Sequence, residues 1–169
     1  MAAGATYTPI QTTTLGSNQQ FVSFSSISGS YTDLTLIISA AGTSNQDMYC
    51  QINGDSGTNY SRTTLYGTGS AAGSVRVTND SLAMIDYYGI ANTTLGNAIH
   101  IVNFMNYSNT TTYKTLLSRS NNAGIGTDAI VNLWRSTSAI TSIQLRLGSS
   151  GGANFLAGST FTLYGIAAA

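Results

Sequence analysis

The sequence predicts an all-β chain, an antiparallel jelly-roll-like β-sandwich in a single domain. Three observations carry this. Glu, Lys and Gln, three good helix formers, are scarce: in 169 residues there is no glutamate, one lysine (Lys114) and six glutamines. β-Branched and aromatic residues abound, and they alternate with polar ones at a period of two. Turn signals recur at the spacing of short strands: Ser28-Gly29, Asn53-Gly54-Asp55, Gly67-Thr68-Gly69 and Ser149-Ser150-Gly151-Gly152.

The elements follow in order. Thr6 to Leu15 holds Pro9, the single proline. A proline has no N–H to give a central ladder, so this stretch is expected as an edge or contact arm within residues 1–18. Phe21–Ile27 and Asp33–Ser39 alternate as strands do, and Met48–Ile52 is a shorter run with Cys50 at its centre. Ser56–Ser74 is rich in Gly, Ser and Thr and carries Tyr60 and Tyr66. It is expected as a long surface excursion that makes contacts. Val75–Val77 is a short strand. Ala98–Met105 is apolar on both faces and so predicts a central strand covered on both sides. Tyr113–Ser118, Ala129–Trp134, Ile140–Leu147 and Ser159–Ile166 complete the set. About eight strands with long connections suit a jelly roll, in which two packed sheets limit the exposed edges. No linker, charge block or internal repeat divides residues 1–169.

Composition narrows the chemistry. Charged residues make up 7% of the chain, and six acidic side chains balance six basic ones. The basic residues stand singly, which argues against a nucleic-acid footprint. No apolar run reaches the ~20 residues of a membrane span, and the N-terminus lacks the basic and apolar regions of a signal peptide. Cys50 has no partner for an internal disulfide, which fits folding in a reducing compartment, and it reads as a small buried apolar residue. A domain with so little charge has little to hold its copies apart, so composition leans towards an assembly component.

Catalytic constellations are hard to assemble. His100 is the single imidazole. On the strand pattern it shares a face with Ala98, Val102 and Phe104, which suits a packed or interface histidine better than a base. In a three-fold assembly it could meet its own copies near the axis. Most of the six aspartates flank turns or strand ends, with no pair suggested for glycoside hydrolysis. Asn53-Gly54-Asp55-Ser56-Gly57 could be a metal loop, but it lacks the glutamate that closes a calcium loop, and Asn-Gly is the strongest hairpin signal. The turn is the stronger reading, so no metal or cofactor is expected, and no enzyme activity. Tyr60, Tyr66, Tyr87, Tyr88, Tyr107, Tyr113 and Trp134 offer amphipathic faces to sugars or to protein partners. Of the two, a glycan carries less weight.

Four segments resemble a family of small virion proteins of tailed bacteriophages, especially phages of cyanobacteria and other aquatic bacteria. They are Thr6–Ile10 with Thr12–Ser17; Asn53–Gly57 with Asn59-Tyr60-Ser61 and Leu65-Tyr66-Gly67; Tyr107 with Tyr113-Lys114-Thr115; and Leu133–Thr137 with Ala139–Ile143, closing on Ala157–Ile166. The last is the most specific. The resemblance implies a non-enzymatic β-sandwich part of the particle, and it transfers no catalytic residue. It implies a capsid decoration (cement) protein, with a tail-fibre, head-fibre or appendage module binding a host receptor or glycan as the alternative. The short chain, without shaft repeats, coiled coil or adaptor domain, favours the outer capsid surface. The expected partners are its own copies in a homotrimer and the major capsid protein, with no nucleic acid and no membrane. Tyr7, Pro9, Tyr60, Tyr66, Tyr113 and Trp134 are the expected contact residues.

Overall fold

The computed structural model describes residues 6–88, 96 and 98–167. Met1–Ala5 of the expected arm and the last two residues lie outside them. Among the described residues there are twelve strands and no helix. They are β1 (Tyr7–Thr14), β2 (Phe21–Phe24), β3 (Asp33–Ala40), β4 (Met48–Ile52), β5 (Tyr60–Gly67), β6 (Ala72–Asp80), β7 (Ala83–Asp86), β8 (Ala98–Met105), β9 (Lys114–Asn122), β10 (Gly126–Trp134), β11 (Ile143–Leu147) and β12 (Thr160–Ile166).

Two antiparallel sheets form, ordered β1-β12-β3-β8-β9-β10-β5-β6 and β2-β11-β4-β7. Leaving aside the hairpins β5–β6 and β9–β10, strands pair first with last, second with second-last, and so inward: β1 with β12, β2 with β11, β3 with β8, β4 with β7. The chain is thus a folded-back double ribbon whose pairs fall alternately in the two sheets. That is the jelly-roll winding predicted above. The two extra hairpins add four strands beyond β8 and make one sheet twice as wide as the other.

The core follows from alternation. Leu34, Leu36 and Ile38 of β3, Phe161 and Leu163 of β12 and Val102 and Phe104 of β8 face Val22, Phe24, Met48, Cys50, Ile52, Ile143, Leu145 and Leu147 of the smaller sheet in one cluster. Cys50 is fully buried there, as expected of a small apolar side chain. One packing detail depends on a missing side chain. The Tyr31 ring lies flat on Gly165 of β12, where a Cβ would sit 2.3 Å from the ring carbon Cγ.

Three expectations change. Ser56–Ser74 is no surface excursion: it contains β5 and the start of β6, because its threonines, tyrosines and leucine pair well against β10. β7 went unrecognised, being four residues long and buried at each of them, with no alternation to see. β8 is central, yet only its Ala98, His100, Val102 and Phe104 face is buried; Ile99 and Met105 are exposed. The N-terminal stretch lies where Pro9 allows, as edge strand β1, with a bulge between Pro9 and Gln11.

Candidate interaction face

The wide sheet wears much of its polarity inside out over β9, β10 and β5. Its inner face there carries Thr64, Ser118, Ser120, Asp128 and Asn132, all buried. Its outer face carries Leu65, Leu117 and Val131, which are 59%, 45% and 41% exposed. A slip of one residue would reverse this arrangement. Its cause lies across the sandwich.

β7 is an edge strand of the smaller sheet, and its open edge points at the inner face of β9 and β10. An unpaired buried strand edge is costly unless its N–H and C=O groups find partners. Side chains supply them. Ser118 and Ser120 Oγ donate to the Ile85 carbonyl at 3.0 and 2.8 Å. The Asn132 amide both accepts from Met84 N–H, at 3.0 Å, and donates to Met84 C=O, at 2.8 Å. Asp128 Oδ2 accepts from Tyr87 N–H at 2.8 Å. These side chains replace a missing neighbouring strand, so they must face inward, and the apolar residues between them must face out.

The outer face is ordered by register. One cross-strand row reads Ile37, Ile101, Arg119, Ala129, Leu65. The next reads Asn103, Leu117, Val131, Thr63, Arg76. Ile99, Met105 and Leu133 border them. At the usual strand and residue spacings this patch measures about 20 Å by 20 Å, ~400 Å². Arg119, Arg76, Asn103 and Thr63 interrupt it, so its apolar part is a fraction of that area; exposed apolar patches of a few hundred Å² are often functional. Two shallow depressions of about 430 and 440 Å³ open on it, and Arg119 lines both.

The face's charge is unmatched. Arg119 and Arg76 make no hydrogen bond or ion pair with any described residue. The six carboxylates are engaged elsewhere. Asp80 pairs with Arg62 in the one ion pair among the described residues. Asp33 accepts from Asn106 N–H, Asp47 is tied to Tyr49, and Asp86 accepts from Tyr88 N–H. Asp128 caps β7 as above, and Asp55 is held by Gly57, Asn59 and Trp134.

The expected contact residues divide. Tyr7 and Tyr113 are each 54% exposed, Tyr7 set edge-on to Tyr164 with ring centroids 6.1 Å apart. Pro9 is exposed on the β1 edge. Tyr66 is half-buried, lies on Gly73 of β6, and forms a trio with Tyr87 and Tyr88 at centroid distances of 4.9 to 5.4 Å. Tyr60 and Trp134 are corrections. They are 0% and 2% exposed, stacked as cross-strand partners, and so make no surface contact. Their polar atoms hold the Asn53–Gly57 turn: Tyr60 OH donates to Asp55 C=O at 3.1 Å, and Trp134 Nε1 donates to Asp55 Oδ2 at 2.7 Å. The turn itself is as predicted, with Asn53 and Gly54 at φ 51° and 70° and Asp55 N–H bonded back to Ile52 C=O at 2.9 Å.

His100 sits on the inner face as expected, fully buried, and neither ring nitrogen has a hydrogen-bond partner among the described residues. Burial pushes its pKa down to about 3. Burial likewise pushes Asp128 up to about 6, against the hydrogen bonds that favour its charged form.

The outer apolar face was missed from sequence, although its signal was present: Leu117, Val131 and Leu65 each flank a polar residue that must go somewhere. No protein-family profile matches the chain, and no curated protein matches it.

Proposed function

We propose that this chain is a bacteriophage virion structural protein, a decoration protein that sits as a homotrimer on the outer capsid and clamps neighbouring capsid subunits. Its role is mechanical rather than catalytic. The observation that carries the reading is the apolar outer face of the wide sheet, set in a surface that is otherwise neutral and hydroxyl-rich. Such a face belongs against another protein. Jelly rolls recur in capsid proteins, and the sequence resembles small phage virion proteins; both support the assignment. The outer face would rest on the shell, leaving sheet edges and loops for contact between copies. Three copies then bind through three weak feet at once, so that avidity replaces affinity.

The second reading is a receptor- or glycan-binding module on the tail or a head fibre. The half-exposed trio Tyr66, Tyr87 and Tyr88 favours it, since clustered aromatic rings suit sugar faces. Counting copies per purified particle by quantitative mass spectrometry separates the two. Hundreds of copies support the capsid role, and a few dozen or fewer move the protein to the tail. Gene deletion gives the same division: particles that lose DNA on heating support a clamp, and stable particles that fail to adsorb support a receptor role.

A further inference from the structure

We infer that the outer face of β8, β9, β10 and β5 docks an acidic, apolar-flanked segment of a different protein, with Arg119 and Arg76 as its charge anchors, and that a second copy of this chain does not dock there. The inference rests on that face being a docking surface and adds the chemistry of what it receives.

The argument is one of complementarity. Both arginines point outward from neighbouring rows of the patch, on β9 and on the edge strand β6. Arg119 stands between Ile37, Ile99 and Ile101 on one side and Leu117, Ala129, Val131 and Leu65 on the other. A partner covering this patch strips water from the guanidinium, and a desolvated cation needs a carboxylate. Among the described residues none is free, because all six aspartates are engaged within their own fold. Stacking two copies through this face would set like charges in an apolar contact with nothing to neutralise them, which disfavours self-docking. A partner that brings one or two carboxylates among apolar side chains satisfies both demands. Guanidinium forks suit carboxylates in particular, since they can be held by two parallel hydrogen bonds.

The shape agrees. The two depressions flank Arg119 along the strands, one lined by Leu65, Leu117 and Val131, the other by Leu65, Ile101 and Asn121. A segment lying over them would place apolar side chains in each and a carboxylate between.

A library of random dodecapeptides, selected against the immobilised full chain, tests this. Enriched peptides are expected to carry Asp or Glu between apolar residues. Synthesised, they should bind at least tenfold more weakly to the Arg119→Gln, Arg76→Gln chain, and more weakly as salt rises. Both arginines are exposed, so that variant should melt as the parent does. The Arg119→Glu, Arg76→Glu chain should instead enrich Lys- and Arg-bearing peptides. Enriched peptides without carboxylates, equal binding to the Gln variant, or no enrichment at all would overturn the inference. So would sedimentation showing an oligomer that Leu117→Asp dissociates, since the face would then join copies of the chain. A high copy number on the capsid combined with carboxylate-free peptides would leave the virion reading intact and remove this one.

Discussion

The indole N–H of Trp134, at the end of β10, donates to Oδ2 of Asp55 across 2.7 Å, tying the second hairpin of the wide sheet to the turn that leaves β4. Partial burial works to raise the pKa of Asp55, but hydrogen bonds from Trp134, Asn59 and Gly57 outweigh it and hold the carboxyl below its ordinary value. A lowered carboxyl stabilises the fold above its unfolded pKa, and that contribution is lost as pH falls through the folded value. Trp134→Phe keeps the ring stack on Tyr60 and removes the donor. It should lower stability by about 1–3 kcal/mol at pH 7, read by urea unfolding, and by less at pH 3.

The inverted sheet predicts an inverted mutational pattern. Asn132→Leu makes the inner face more apolar, yet it strands Met84 N–H and C=O with no partner. It should cost about 2–4 kcal/mol. Leu117→Ser makes the outer face more polar and should change stability by about 0.5 kcal/mol or less. Matched denaturant curves for the two variants check this. A larger loss at Leu117 would mean that the assigned faces are reversed.

His100 and Asp128 give opposed pH dependences. His100 titrates near 6.5 when unfolded and about 3 when folded, so its contribution is full above pH 6.5 and falls as pH drops below it. Asp128 goes from 3.8 unfolded to about 6 folded, so the fold gains stability as pH falls from 6 towards 4. In the native chain the two nearly cancel between pH 6 and 4. Asp128→Asn keeps an acceptor for Tyr87 N–H and removes the buried charge. It should be more stable above pH 6 by up to about 2–3 kcal/mol. It should also lose about 1.4 kcal/mol per pH unit between pH 6 and 4, where the native chain holds level. His100→Met should show the opposite slope, with stability rising from pH 6 to 4. Melting temperatures across pH 4 to 8 for the three proteins check this.

Gly165→Ala pushes a methyl group into the Tyr31 ring. It should cost about 1–3 kcal/mol. In a Tyr31→Ala background the same change should cost well under half as much, because the ring is gone. A double-mutant cycle measures the difference, and additive costs would show that the ring can step aside.

Composition and alternation by themselves determined that the chain is all β, that Pro9 lies at an edge, that Asn53-Gly54 turns, that Cys50 is buried, and that His100 shares a face with Ala98, Val102 and Phe104. Each of these depends on local chemistry: a missing N–H, a positive φ, or a period of two. Tertiary structure decided which way the strands of the wide sheet face. For Leu117 beside Ser118 and Val131 beside Asn132, hydropathy alone would put the leucine and valine inside. The open edge of β7 reverses that choice, because its buried Met84 and Ile85 backbone groups need hydrogen-bonding partners and only a polar inner face provides them. β7 is four buried residues long with no alternation, so the element that sets the polarity of the face was invisible in the sequence. Tyr60 and Trp134 left the list of surface contacts for a related reason. An aromatic ring suits a core and an interface equally, and only the turn folding back beneath them placed these two in the core.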